Sequence, residues 1–222
     1  MPQELIKRFQ IVPIEYGSRQ NYYHCNTKKT WQTYLNSYFR SHLNEREISF
    51  NKTVSNASFR ISGLELKIGI LLADDEARVR HNQTLSGAVK PSIVIDVVLS
   101  TFSILEGLTM LSFISSLTPD RQSEIISKVK RGDKISRGLQ AATGSPHKSE
   151  VKRLRDLRDR CIHQDHADLK EGHDYQHVFE TEAVRPHIEL LYNYLKSLET
   201  EENQLPDTNL LEFWYPDYPT TS

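Results

Sequence analysis

The chain has 222 residues, 37% of them hydrophobic and 26% charged, with a formal net charge of -1 at pH 7. That balance fits an ordinary soluble globular protein, long enough for one large domain or a domain with an extension and for a buried core. It leaves no global field to drive the chain toward nucleic acid.

In chain order, residues 1–28 read as irregular, with a short strand near residues 10–14. Trp31, Tyr34, Leu35, Tyr38, Phe39 and Leu43 recur at helical spacing and predict an amphipathic helix over 30–43 with an aromatic face. Residues 44–58 read as a polar loop. Ile61, Leu64, Ile68, Leu71, Leu72 and Val79 mark a second helix. Pro91 suits the first turn of a third, which runs to about Leu117 and is apolar nearly all round. Its length would cross a membrane, but it carries Asp96 and Glu106, so it reads as the central helix of a bundle. A short basic helix is expected over 120–130. Gly132, Gly138, Gly144 and Pro146 then predict a loop over 132–147. Ser149 is positioned to cap a helix whose apolar face is Val151, Leu154, Leu157 and Cys161. Gly172 interrupts, and Pro186, Ile188, Leu191, Leu195 and Leu198 outline the last long helix. Strand signals are almost absent, so the fold class is all-α: a bundle of four main helices over 60–200, an N-terminal extension over 1–59 and an acidic, aromatic tail over 201–222.

Two cysteines, Cys25 and Cys161, cannot form a disulfide framework, and the N-terminus lacks the apolar core of a signal peptide. A reducing cytoplasm is the expected location, where the sequons at Asn51, Asn56 and Asn82 carry no meaning. Charge is uneven within the neutral total. Residues 121–160 hold twelve Lys/Arg against five Asp/Glu, whereas 196–222 hold one against six. The basic run reads equally as a solvated face or as a surface that tracks RNA.

The stretch Asp156 to His166, D-L-R-D-R-C-I-H-Q-D-H, concentrates candidate chemistry. Arg158 offers a planar fork of donors that matches phosphate oxygens, and His163 titrates near neutrality and can give or take a proton. Together they suit attack on a phosphodiester whose own ribose 2′-hydroxyl is the nucleophile, for which no metal is needed. Five positions at about 100° each leave the two side chains about 140° apart on an ideal helix. Either the helix ends between them or a second protomer completes the site. Asp159 and His163 are four apart, share a face, and suit a carboxylate that fixes the imidazole tautomer.

The run Arg158, Asp159, Arg160, Cys161, Ile162, His163 resembles the signature of HEPN domains: an arginine, a polar residue, then a histidine four to six residues on. A long apolar helix upstream in that family often carries a Leu-Glu pair, similar to Leu105-Glu106 here. The resemblance covers roughly residues 60–200. It implies a bundle of four or five helices and, for many members, a metal-independent endoribonuclease whose two motifs face each other across a homodimer. Members include toxins of toxin–antitoxin pairs, anti-phage proteins and CRISPR-associated nucleases. By this likeness Arg158 and His163 are catalytic, Asp159 orients, and Glu106 is a supporting residue. No metal or cofactor is implied. The partners implied are single-stranded RNA, a second copy of the chain, and an antitoxin or regulatory protein, with no membrane. Some members have lost activity and only bind or scaffold.

Blander readings stand beside these. Arg158 and His163 also fit a solvated helix end, with pairs such as Asp156–Arg160. Cys161 reads as a core residue rather than a nucleophile. Glu106 is either a buried carboxylate that needs a partner such as Arg158 or a residue at a wet edge. His173 and His177 have a spacing that can hold zinc, but no assisting ligand pattern accompanies them, and a solvated connection is the simpler account. The aromatic tail is too apolar to leave in water and should pack on its own domain or its dimer mate, or dock a regulator. An inactive module would leave Arg158 or His163 occupied in internal pairs, whereas a nuclease needs both at a cleft.

Overall fold

Thr27 starts the first helix in a computed structural model that describes residues 26–40, 48–81, 89–118, 134–139, 148–163 and 181–206. Its hydroxyl accepts the Thr30 amide at 3.3 Å, an N-cap that satisfies one of the helix's orphan donors, and its carbonyl accepts the Trp31 amide at 3.3 Å as the first bond of the helix. The helix, α1, is Lys28–Arg40. It buries Trp31, Tyr34, Leu35 and Phe39 along one stripe, the aromatic face anticipated from their spacing.

Helix α2, Ile48–His81, begins ten residues or more before the sequence pattern suggests, so much of the expected loop over 44–58 is helical. Asn, Ser and Thr are weak helix formers, but Val54, Ala57, Ser58 and Ile61 lie at buried helical spacing. The Ser58 hydroxyl donates to the Val54 carbonyl one turn back at 2.7 Å, which removes the cost of burying it. Residues 59 and 60, where the bundle was expected to begin, fall inside this helix. Buried Glu65 ties α2 to α1: its carboxylate accepts Asn26 Nδ2 at 3.1 Å and Trp31 Nε1 at 2.8 Å. The Ser62 hydroxyl adds a 2.9 Å bond to the Asn26 carbonyl.

Helix α3, Val89–Ser115, is the centre. It packs against α2, against α4 (Lys148–His163) and against α5 (Thr181–Lys196). Among the described residues it is the one helix long and apolar enough to cross a membrane, and 61% of its most apolar stretch is buried by its neighbours. Val94, Val97, Ile104, Leu105 and Leu108 are fully buried, each worth about 1.5–3 kcal/mol in apolar burial. Asp96, one of the charges that disfavoured a membrane span, pairs with Lys67 of α2 at 3.4 Å.

A helical turn over 134–139 occupies the middle of the expected loop 132–147. Gly138 there is a packing residue: a Cβ on it would meet Thr109 Cβ and the Thr109 carbonyl oxygen of α3 at 2.6 Å. Ser149 lies inside α4 rather than before it, and its hydroxyl donates to the Glu150 carboxylate at 2.7 Å. Helix α5 starts five residues before Pro186, which therefore lies within it. Tyr34 of α1 donates to the Leu195 carbonyl of α5 at 2.5 Å, and Tyr194 shares a 2.7 Å hydrogen bond with Ser112 of α3. One core joins α1 to α5.

Most of the described residues are helical and no strand occurs among them: the fold is all-α. The strand near 10–14, the basic helix over 120–130, the break at Gly172 and the aromatic tail beyond 206 lie outside the described residues.

Candidate functional site

Helix α4 lays Val151 and Leu154 on the core, with Leu157 packed at its margin. Arg158 follows on that side but keeps 29% of its side chain exposed. Its guanidinium carbon lies 4.8 Å from the centroid of the Phe102 ring of α3. A cation over an aromatic face gains roughly 0.5–2 kcal/mol and holds the planar fork against one surface. Arg158 Nη1 also donates to Asp159 Oδ1, the next residue along the helix. Asp159 is 41% exposed, so this corner of α3 and α4 is polar and open at its rim. Arg158 has five N–H donors, and the Asp159 bond engages one nitrogen.

Glu106 lies one helical turn beyond Phe102 on α3, is partly buried, and is engaged in interactions of its own. The structure therefore brings Arg158, Asp159, Phe102 and the Glu106 turn to one side of the α3–α4 pair. His163 is the last residue of α4, and its side chain, like that of Cys161, lies outside the described residues. The backbone still decides one point. Helix α4 runs unbroken from Lys148 to His163, so the helix does not end between Arg158 and His163. Their positions diverge by about 140° around the axis, whereas Asp159 and His163 are only about 40° apart.

His187 is the titratable residue that the sequence pattern passed over. It is 8% exposed on α5, and its pKa is pushed down from 6.5 to about 4, first by burial and then by the Arg153 guanidinium of α4. At neutral pH it is an uncharged imidazole. The available signal was its place in the α5 apolar period, with Leu190, Leu191 and Tyr194 three, four and seven residues on. Lys134 departs from expectation in a different way. The basic run 121–160 reads as solvated or RNA-facing, yet Lys134 is buried, and burial lowers its pKa. On α4, by contrast, Lys152 and Arg153 are exposed.

No group of three or more His, Cys, Asp or Glu side chains that could hold a metal ion occurs among the described residues, and His173 and His177 lie outside them. The chemistry this corner offers is anion recognition by a braced guanidinium beside a carboxylate, five residues before a histidine. In comparisons with known proteins, the chain matches no family model, no curated protein and no solved structure.

Proposed function

We propose that the chain is a HEPN-like, metal-independent endoribonuclease that cleaves single-stranded RNA at a site shared by two protomers. The observation that carries this reading is the unbroken α4 with Arg158 seated over Phe102 and His163 at its last position. Residues about 140° apart on one helix do not converge on one phosphate. A two-fold axis beside the α4 terminus removes that difficulty, because Arg158 of one chain can then serve the phosphate that His163 of the other approaches.

In this mechanism the ribose 2′-oxygen attacks phosphorus while an imidazole takes its proton. The P–O5′ bond breaks, and a protonated imidazole returns a proton to the departing 5′-oxygen. Arg158 stabilises the charge on the non-bridging oxygens, and Asp159 orients the catalytic groups. The products are a 2′,3′-cyclic phosphate and a 5′-hydroxyl, and DNA is inert for want of the 2′-hydroxyl. The role that suits such an activity is a cytoplasmic toxin or anti-phage effector held in check by an antitoxin or regulatory protein.

A second reading, a catalytically inactive module that binds nucleotides or scaffolds, draws on the pairing of Arg158 with Asp159, which already occupies part of the fork. One assay separates the two. Single-stranded RNA is incubated with the protein in EDTA, and the fragment ends are identified. Cleavage to cyclic-phosphate ends, lost by about 10²–10⁴-fold in His163→Ala and Arg158→Ala while both stay folded, is the expected result. Arg158→Lys should fail to rescue, since a point charge cannot replace the fork. Cleavage that requires a divalent metal, or equal small effects of His163→Ala and His173→Ala, overturns the nuclease reading.

A further inference from the structure

The outer face of α2 carries an apolar stripe that neither α1 nor α3 covers. Phe59 is 68% exposed, the larger of the two exposed large hydrophobics among the described residues. Gly63, Leu66 and Ile70 continue its line at spacings of four, three and four, so all four share the solvent side of the helix. Leu66 and Ile70 are only partly buried. Nothing lies within 4 Å of where a Gly63 Cβ would be, so bare backbone forms a shallow seat between Phe59 and Leu66. Exposed Lys52 and Arg60 flank the stripe, and the one carboxylate between residues 51 and 71 is Glu65, which is buried on the opposite side. The face is therefore apolar and cationic.

The chain's own C-terminus has the complementary character. Residues 207–222 contain Asp207, Glu212 and Asp217 and no Lys or Arg, together with the run Phe213-Trp214-Tyr215. They leave the core in the right neighbourhood. Leu205 is buried, its amide donates to Glu199 Oε1 at 2.9 Å, and Asn203 Nδ2 donates to the Tyr34 carbonyl of α1 at 3.0 Å. Helix α1 packs directly on α2. Sixteen residues reach up to about 50 Å when extended, whereas Phe59 to Ile70 spans about 16 Å of helix. Pro216 and Pro219 favour an extended strap over a helix.

We propose that residues 207–222 strap across the outer face of α2 in the same molecule, with an aromatic ring on the Gly63 seat and the tail carboxylates toward Lys52 and Arg60. The strap covers apolar surface that would otherwise recruit another chain. It stands whether or not the protein cleaves RNA.

The full-length protein tests this through Trp214, since its other tryptophan, Trp31, is fully buried and a Trp214→Phe variant supplies the Trp31 background. Trp214 should emit to the blue of free tryptophan and resist acrylamide. Phe59→Glu, at an exposed position that leaves circular dichroism unchanged, should shift its emission to the red and raise quenching several-fold. A carbodiimide should join Lys52 to Glu212 or Asp217, and in a mixture of isotopically light and heavy protein the joined peptides should be all light or all heavy. Trp214 that is fully quenchable without any substitution, or that is indifferent to Phe59→Glu, overturns the proposal. So do mixed light–heavy cross-links, which would assign the strap to a partner, and a dimer that Phe59→Glu splits without moving Trp214, which would assign the face to a second copy.

Discussion

His187 is held neutral by a site that charges it only at a cost. Burial removes water from the imidazole, and Arg153 opposes a second positive charge nearby. In the unfolded chain the same group titrates near 6.5, so between pH 6.5 and about 4 the unfolded state binds the extra proton. The stability tied to the neutral form is thus fully present above pH 6.5 and is lost as pH falls toward 4. A shift from 6.5 to about 4 corresponds to at most about 3 kcal/mol. Urea unfolding at pH 7 and at pH 4.5 should show the drop, and His187→Leu should remove a large part of it. A variant whose pH dependence matches the parent would contradict this account. The residue escaped the sequence reading because a histidine inside an apolar period looks like an interruption. Arg158 drew attention because its partners in the motif are adjacent in sequence. Its seat on Phe102 was not legible, since nothing in the chain states that residues 56 positions apart meet.

Two glycines of opposite meaning mark what composition can say about an element. Gly138 reads as a breaker in the sequence, but its missing Cβ lets the 134–139 turn lie against Thr109. Gly138→Ala drives a methyl to 2.6 Å from a backbone oxygen, and overpacking of that kind typically costs about 1–3 kcal/mol. Gly63 sits mid-helix with nothing within 4 Å of an added Cβ, so Gly63→Ala should gain about 0.5–1 kcal/mol from helix propensity, less the ring contact that a methyl on the strap's seat displaces. Opposite signs in urea midpoints are the expected result, and a neutral Gly138→Ala would show that the turn can shift. The start of α2 was hidden for a related reason: local propensity favoured loop while burial of Val54 and Ile61 favoured helix. Burial prevailed, because tertiary packing supplies most helical stability in a protein. Where the apolar pattern alone marks the element, by its period in α1 and α5 and by its unbroken apolar length in α3, the elements were legible to within a few residues, apart from the first turn of α5, whose side chains lie outside the described residues. At the site, the continuity of α4 was the open alternative in the sequence, and its backbone closes it.

At the scale of the whole molecule, α3 separates α2 from α4, so the strap face and the Arg158 corner belong to different neighbours of the central helix. A shared site at the α4 terminus then makes a sharp prediction. Arg158→Ala and His163→Ala, each inactive alone, should regain RNA cleavage when mixed and allowed to exchange subunits, because a mixed dimer holds one intact arginine opposite one intact histidine. No recovery, with exchange verified by mass, would place both groups in one chain and remove the composite site. The bonds from Tyr34 to Leu195 and from Asn203 to Tyr34 carry a different consequence, for synthesis on the ribosome. They join residues 161 and 169 positions apart. At roughly 5–20 residues per second, α1 waits on the order of 10–30 s before its partners emerge. Through that interval Trp31, Tyr34 and Phe39 have α2 to pack against, while the side that α5 later closes stays open to chaperones.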